Sequence, residues 1–194
     1  MYHDLPRGTS FWLFLFSIDQ DLAEKTRNKR CMCGGRLHSA NYPRKPQGGR
    51  GELPKQYNSR LSFCCERDGC RKRATPPSVR FLGRKLYLAA VVTLVAAMRQ
   101  GPSPRRVSQL SELFGADRRT IARWRVFWNE HFPQTRFWKI ARAVVVPVVE
   151  ITALPLSLLQ AFLHSRDPCQ DWGNLMRFLS PITITGGLEF AVSR

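Results

Sequence analysis

The sequence predicts a mainly α-helical fold: a three-helix core with a helix-turn-helix, a small zinc-ribbon-like β module ahead of it, and further helices behind. Three observations predict it. They are an apolar run at residues 86–98 followed by helical periodicity around Gly115, five of six cysteines between residues 31 and 80, and prolines punctuating helical stretches after residue 133. With 194 residues and 43% apolar side chains, the chain can bury a core of ordinary size. The expected units are 1–30 (helical segment), 31–80 (basic metal module), 81–132 (helix-turn-helix) and 133–194 (helical segment).

The first unit opens on the aromatic run FWLFLFSI at residues 11–18. One arginine precedes it, Asp19, Asp21 and Glu24 follow, and it lacks a small-x-small cleavage site, so it does not read as a signal peptide. Residues 19–30 are helix-compatible and end in bases. With no export signal, the expected location is the cytoplasm, nucleoid-associated, where clustered cysteines serve metal rather than disulfides.

The second unit contains Cys31-Met-Cys33-Gly34-Gly35 and Cys64-Cys65-Glu-Arg-Asp-Gly69-Cys70, separated by a Pro/Gly-rich basic loop at 41–60 that admits no long helix. Two glycine-containing knuckles match a zinc ribbon, in which four thiolates hold one tetrahedral, structural Zn2+. The best ligand set is Cys31, Cys33, Cys65 and Cys70; the spacing does not rank Cys64 against Cys65, and His38 is the substitute ligand. The competing reading is reduced thiols without metal. Metal is preferred because the segment has few apolar residues for a core of its own, so binding would supply folding free energy. Cys169 stands alone as an ordinary helix-start cysteine. Arg36, Arg44, Lys45, Arg50, Lys55, Arg60, Arg71, Lys72, Arg73 and Arg80 surround the knuckles as a phosphate-facing surface. The stretch 43–51 reads either as a minor-groove arm or as a solvated loop.

In the third unit, LYLAAVVTLVAAM (86–98) would extend only about 20 Å as a helix, short of the roughly 30 Å of a bilayer core. It reads as a buried helix, and no membrane partner is expected. VSQLSELFGADRRTIARWRV (107–126) fits a helix-turn-helix, with Leu110, Phe114, Ala116, Ile121 and Trp124 apolar, Ser111 at the helix crossing and Gly115 in the turn. Asp117 would cap the second helix, whose outward positions are Arg118, Arg119, Ala122, Arg123 and Val126. Phe127, Trp128 and Phe132 continue the helical spacing and read as core, with His131 at the solvent edge.

In the last unit Thr135 precedes a helix through Phe137, Trp138, Ile140, Ala141 and Val144. Asp167 caps another, with Pro168 first and Gln170 closing a capping box, running through Trp172, Leu175, Met176 and Leu179. These faces would pack on the central unit or on a second copy, making a homodimer through 133–194 a candidate assembly.

Charge points to the partner. Of 31 basic residues 24 are arginine; residues 27–125 carry a net +18 and the flanks a net −1. A basic field confined to one stretch attracts nucleic acid and gives salt-sensitive binding without implying sequence preference.

GADRRTIARWRVFWNEHF closely resembles the helix-turn-helix near the N-terminus of bacterial insertion-sequence transposases, and a zinc ribbon ahead of it is similar to their architecture. CMCGGRLHSANYPRKP and SFCCERDGCRKRATPPSVRFLGR look like a small bacterial group of transposase-like proteins. The resemblance covers about residues 31–132 and implies double-stranded DNA as partner; the candidate contacts are Arg118, Arg119, Thr120 and Arg123 on the second helix, with Arg105, Arg106, Arg44, Lys45, Arg71 and Arg73 in support. About sixty residues remain after His131, too few for an RNase H-like catalytic domain, and their acids (Glu150, Asp167, Asp171, Glu189) sit in proline-broken helical pieces. No catalytic residues are assigned. The expected function is non-enzymatic DNA binding; the alternatives are a diverged transposase or nuclease subunit, or an RNA-binding zinc module.

Overall fold

The aromatic run and the charged stretch after it make one continuous helix, α1 (Thr9–Asn28), rather than two pieces. The computed structural model describes residues 6, 8–47, 53–81, 89–96, 103–145 and 149–184. Along α1, Phe11, Trp12, Leu15 and Ile18 fall on one face at helical spacing and enter the main core. That face lies on α7 (Pro168–Leu179). The contact is close at Gly173, where a Cβ would lie 2.6 Å from Phe14 Cε1, so a residue that weakens helix propensity is needed for two backbones to approach.

After α1 the chain builds two small sheets. β1 (Leu37–Ser39), β4 (Phe63–Cys65) and β5 (Arg73–Ala74) form an antiparallel sheet in the order β1-β4-β5, with Leu37 opposite Cys65 and Ser39 opposite Phe63. β2 (Tyr42–Pro43) pairs with β3 (Ser59–Arg60). The module's own core is Leu37, Phe63, Cys65 and, from α1, Ala23.

A buried ionic clamp joins this module to the helical body. Asp19 of α1 accepts hydrogen bonds from Ser78 Oγ, Val79 N and Arg80 Nε, each at 2.7 Å. Arg80 also donates to the carbonyls of Gln56 (3.0 Å) and Ser59 (3.2 Å), and its guanidinium lies over the rings of Phe16, Tyr57 and Phe81. Arg80 is 1% exposed and Arg60, which donates to the Pro76 carbonyl, 2%, so neither belongs to a phosphate-facing surface. Burial lowers the Arg60 pKa and also raises that of Tyr57, whose hydroxyl donates to the Trp12 carbonyl.

The rest is helical. α2 (Ala89–Ala96) is the described part of the 86–98 run, buried at residues 89–93 and packed on α4 (Arg118–Val126), α6 (Leu156–Phe162) and α7. α3 (Pro104–Phe114) and α4 (Arg118–Val126) follow, then a π-helical turn (Phe127–His131), a 3-10 turn (Phe132–Gln134), α5 (Arg136–Val145), α6 (Leu156–Phe162) and α7. Phe127, Trp128, Phe132 and Trp138 interlock with ring centroids 4.7–6.2 Å apart, and Thr135 caps α5 by accepting from Trp138 N at 3.1 Å. Ile140 departs from expectation: it is 66% exposed on the outer face of α5. Asp167 caps α7 through the amides of Cys169 and Gln170, but the capping box does not close. Ser165 Oγ takes the Asp167 N–H, while the Gln170 side chain bonds Asn174.

Candidate metal centre and nucleic-acid interface

The first knuckle starts where α1 ends. The chain reverses through Arg30 in the left-handed region (φ 58°), and Cys31 N–H donates to Gly35 O at 2.9 Å while Gly34 N–H returns to Cys31 O at 2.8 Å. The second knuckle turns over Gly69 (φ 80°), with Cys70 N–H donating to Arg67 O. Arg67 Nη1 donates to Cys33 O at 2.6 Å and ties the two turns together. Gly35 makes room for a ligand, since a Cβ there would sit 2.7 Å from Cys65 Sγ.

These turns bring Cys31, Cys33, Cys65 and Cys70 together, all four Sγ atoms within 4.8 Å of one another. The Cys31–Cys70 and Cys33–Cys65 sulfurs are 3.7 and 3.5 Å apart. A tetrahedron with metal–sulfur bonds of about 2.3 Å has edges of about 3.8 Å, so the donor set fits a thiolate-bound metal in both number and spacing. Strand alternation decides between the adjacent cysteines. Phe63 and Cys65 share the inward face of β4, whereas Cys64 turns away and its Sγ lies 3.3 Å from Arg71 O. His38 is not a ligand either: its Nε2 is 3.3 Å from Glu66 Oε2, while Glu66 Oε1 accepts from Arg36 N. The Arg36 amide and then His38 hold the Glu66 pKa below its ordinary value.

As thiols, Cys33 and Cys65 do not hold their protons equally. The Gly35 amide, then the thiols of Cys65 and Cys70, draw Cys33 down to about 6. Cys65, despite the Arg67 amide that favours its thiolate, is pushed up to about 12 by burial and by neighbouring thiols. One thiolate is thus stabilised by hydrogen bonds from the others, a role a divalent cation would take over for all four.

The second candidate surface is α4. Gly115 takes a left-handed φ of 64°, and Asp117 then accepts from Thr120 N at 2.6 Å, capping the helix. That amide, and next the Thr120 hydroxyl, hold the Asp117 pKa below the usual range. Leu110, Phe114, Ala116, Ile121 and Trp124 are all buried with α2, while Arg118, Arg119, Ala122, Arg123 and Val126 face out. Two expectations are corrected. Ser111 is exposed and does not sit at a crossing, and Thr120 is only 7% exposed, with its hydroxyl accepting from Arg123 Nη2 at 2.9 Å.

The remaining basic residues divide. Arg105 and Lys45 are exposed, and the side chain of Arg106 lies outside the described residues, as does Arg50. Arg71 is ion-paired with Asp68 at 2.6 Å. Arg73 donates to Ala40 O (2.7 Å) and Ser62 Oγ (3.0 Å), bracing β5 against the first half of the module. Arg44 is half-buried, its guanidinium 6.0 Å from the Phe81 ring centroid, and its amide donates to Asn58 O; the proposed arm is therefore paired to β3 over its first residues, and 48–51 lie outside the described residues. The clamp of Asp19 and Arg80 was missed because its partners are 61 positions apart. No helix among the described residues is long and apolar enough to cross a membrane. Comparison with family models, with curated proteins and with solved structures returns no match.

Proposed function

We propose that this chain is a non-enzymatic double-stranded DNA-binding protein that presents α4 to the major groove and uses the cysteine module, holding a structural zinc ion, as a second phosphate-contacting element. One observation carries the reading. The apolar side of α4 is consumed by the core while Arg118, Arg119 and Arg123 stay exposed together on its outer side, the geometry a recognition helix needs. The net +17 charge supplies the attraction. Four thiolate ligands complete a tetrahedral zinc shell with no position open for water, which is why the ion is assigned a structural role. The aromatics at 127–132 are in the core, which disfavours a single-strand stacking module. Among the described residues the cysteines are the group of side chains gathered as metal ligands; Asp171 instead accepts from Ser165 N, and Glu150 from Thr152.

The test is selection of bound duplexes from a random pool, followed by titration of the winner against scrambled duplex at several salt concentrations. Enrichment of a defined site, with the slope of log K against log salt falling by about 1 in Arg119→Gln, is the expected result. Equal affinity for every duplex removes the sequence-reading part, and metal-dependent nicking of plasmid replaces this reading with the catalytic one.

A further inference from the structure

Of the three outward arginines of α4, one is held and two are not. Asp117 caps the helix through the Thr120 amide, and the Thr120 hydroxyl is a second partner of the same carboxylate. The hydroxyl oxygen accepts a hydrogen bond from Arg123 Nη2, 2.9 Å away. Thr120 is nearly buried and β-branched, so this oxygen is itself fixed. Among the described residues no hydrogen bond restrains Arg118 or Arg119, both exposed.

We propose that Thr120 is a positioning residue that presets the Arg123 guanidinium, making Arg123 the base-reading, specificity-determining arginine while Arg118 and Arg119 serve the phosphates. This rests on the DNA-binding reading above and deepens it. A guanidinium has five N–H donors arranged in edges. Giving one Nη2 proton to Thr120 still leaves a complete two-donor edge, the Nη1/Nη2 end or the Nε/Nη2 side, to grip guanine O6 and N7. Orientation fixed before encounter reduces the entropy lost on docking, and it penalises a base whose acceptors lie elsewhere. The unrestrained arginines suit a uniform charged backbone, where orientation carries no information.

The experiment compares wild type, Thr120→Val, Thr120→Ser and Arg123→Lys by duplex selection and by titration on the selected site and single-base variants of it. Thr120→Val keeps the shape and removes the acceptor. At the one position read by Arg123 it should lose about three- to tenfold in discrimination, with affinity for scrambled duplex and the salt slope unchanged. Thr120→Ser restores the hydroxyl and should restore discrimination, whereas Arg123→Lys should lose it at the same position. Side-chain 15N spectra of the free protein give a readout that needs neither DNA nor a foldable valine variant: Arg123 should show slowed guanidinium rotation relative to Arg118 and Arg119, released in Thr120→Ala, which removes the acceptor oxygen. Full discrimination in Thr120→Val, loss in Thr120→Ser equal to that in valine, or three equally mobile arginines overturns the proposal while leaving DNA binding intact. A wild type without any sequence preference overturns both.

Discussion

Replacing Asp19 by Asn tests the reasoning about the buried clamp most severely, because the side chain keeps its shape and loses its charge. In the native structure Oδ1 accepts from Val79 N, and Oδ2 accepts from Ser78 Oγ and Arg80 Nε. An asparagine amide turned either way sets its NH2 against a fixed donor, the Arg80 Nε–H in one orientation and the Val79 N–H in the other. Arg80 meanwhile keeps its charge at 0% side-chain exposure with no counterion in contact. Breaking one partner of such a pair costs about 3–5 kcal/mol. For a chain of this length that lowers Tm by about 6–20 °C. The assay is thermal and urea unfolding of Asp19→Asn beside the double variant Asp19→Leu/Arg80→Met, in which neither charge remains and the aromatic box of Phe16, Tyr57 and Phe81 is refilled with apolar atoms. The double variant should be the more stable of the two, since apolar replacement of a whole buried pair is often neutral or better. Asp19→Asn within about 1 kcal/mol of wild type, or a double variant worse than the single one, refutes the account; the 1 kcal/mol threshold is the size of an ordinary hydrogen bond.

Three further outcomes are expected. Native mass spectrometry should find zinc bound to wild type and to Cys64→Ser but not to Cys65→Ser, because only the Cys65 sulfur lies in the cluster. Asp117→Ala should lose about 1 kcal/mol at neutral pH as the cap disappears. The folded Asp117 pKa is lowered, so this contribution is present above the unfolded value near 3.8 and is lost as pH falls through the folded value; wild type and variant should converge in acid unfolding curves there. Gly173→Ala would gain roughly 0.5–1 kcal/mol of helix propensity. With its Cβ 2.6 Å from Phe14 Cε1, the clash should outweigh that gain and leave the variant less stable by calorimetry, while Gly173→Ala/Phe14→Leu recovers the difference.

Local signals were legible and distant ones were not. Gly115, the Asp117 cap and the apolar offsets of α3 and α4 are all encoded between Leu110 and Trp124, and each appears as periodicity and capping chemistry dictate. Four ligands could be chosen because knuckle glycines mark the turns; the Cys64/Cys65 ambiguity needed the register of β4 against β1, which places Cys65 opposite Leu37. Arg60 and Arg80 depart from the surface reading for one reason: arginine in a basic stretch looks like surface unless its acceptors are known, and those acceptors are the Pro76, Gln56 and Ser59 carbonyls together with Asp19. Exposure of Ile140 on α5 was invisible for the opposite reason, since helical spacing alone does not say how wide a face its neighbours cover.

The placement of Ala23 under the cysteine sheet means that the first knuckle hangs from a helix that also packs on α7, near the far end of the described chain, and whose Asp19 holds residues 78–80. The ribbon is therefore not a portable unit. Excised at residue 31 and transplanted, it would leave behind both its floor and the carboxylate that anchors its exit.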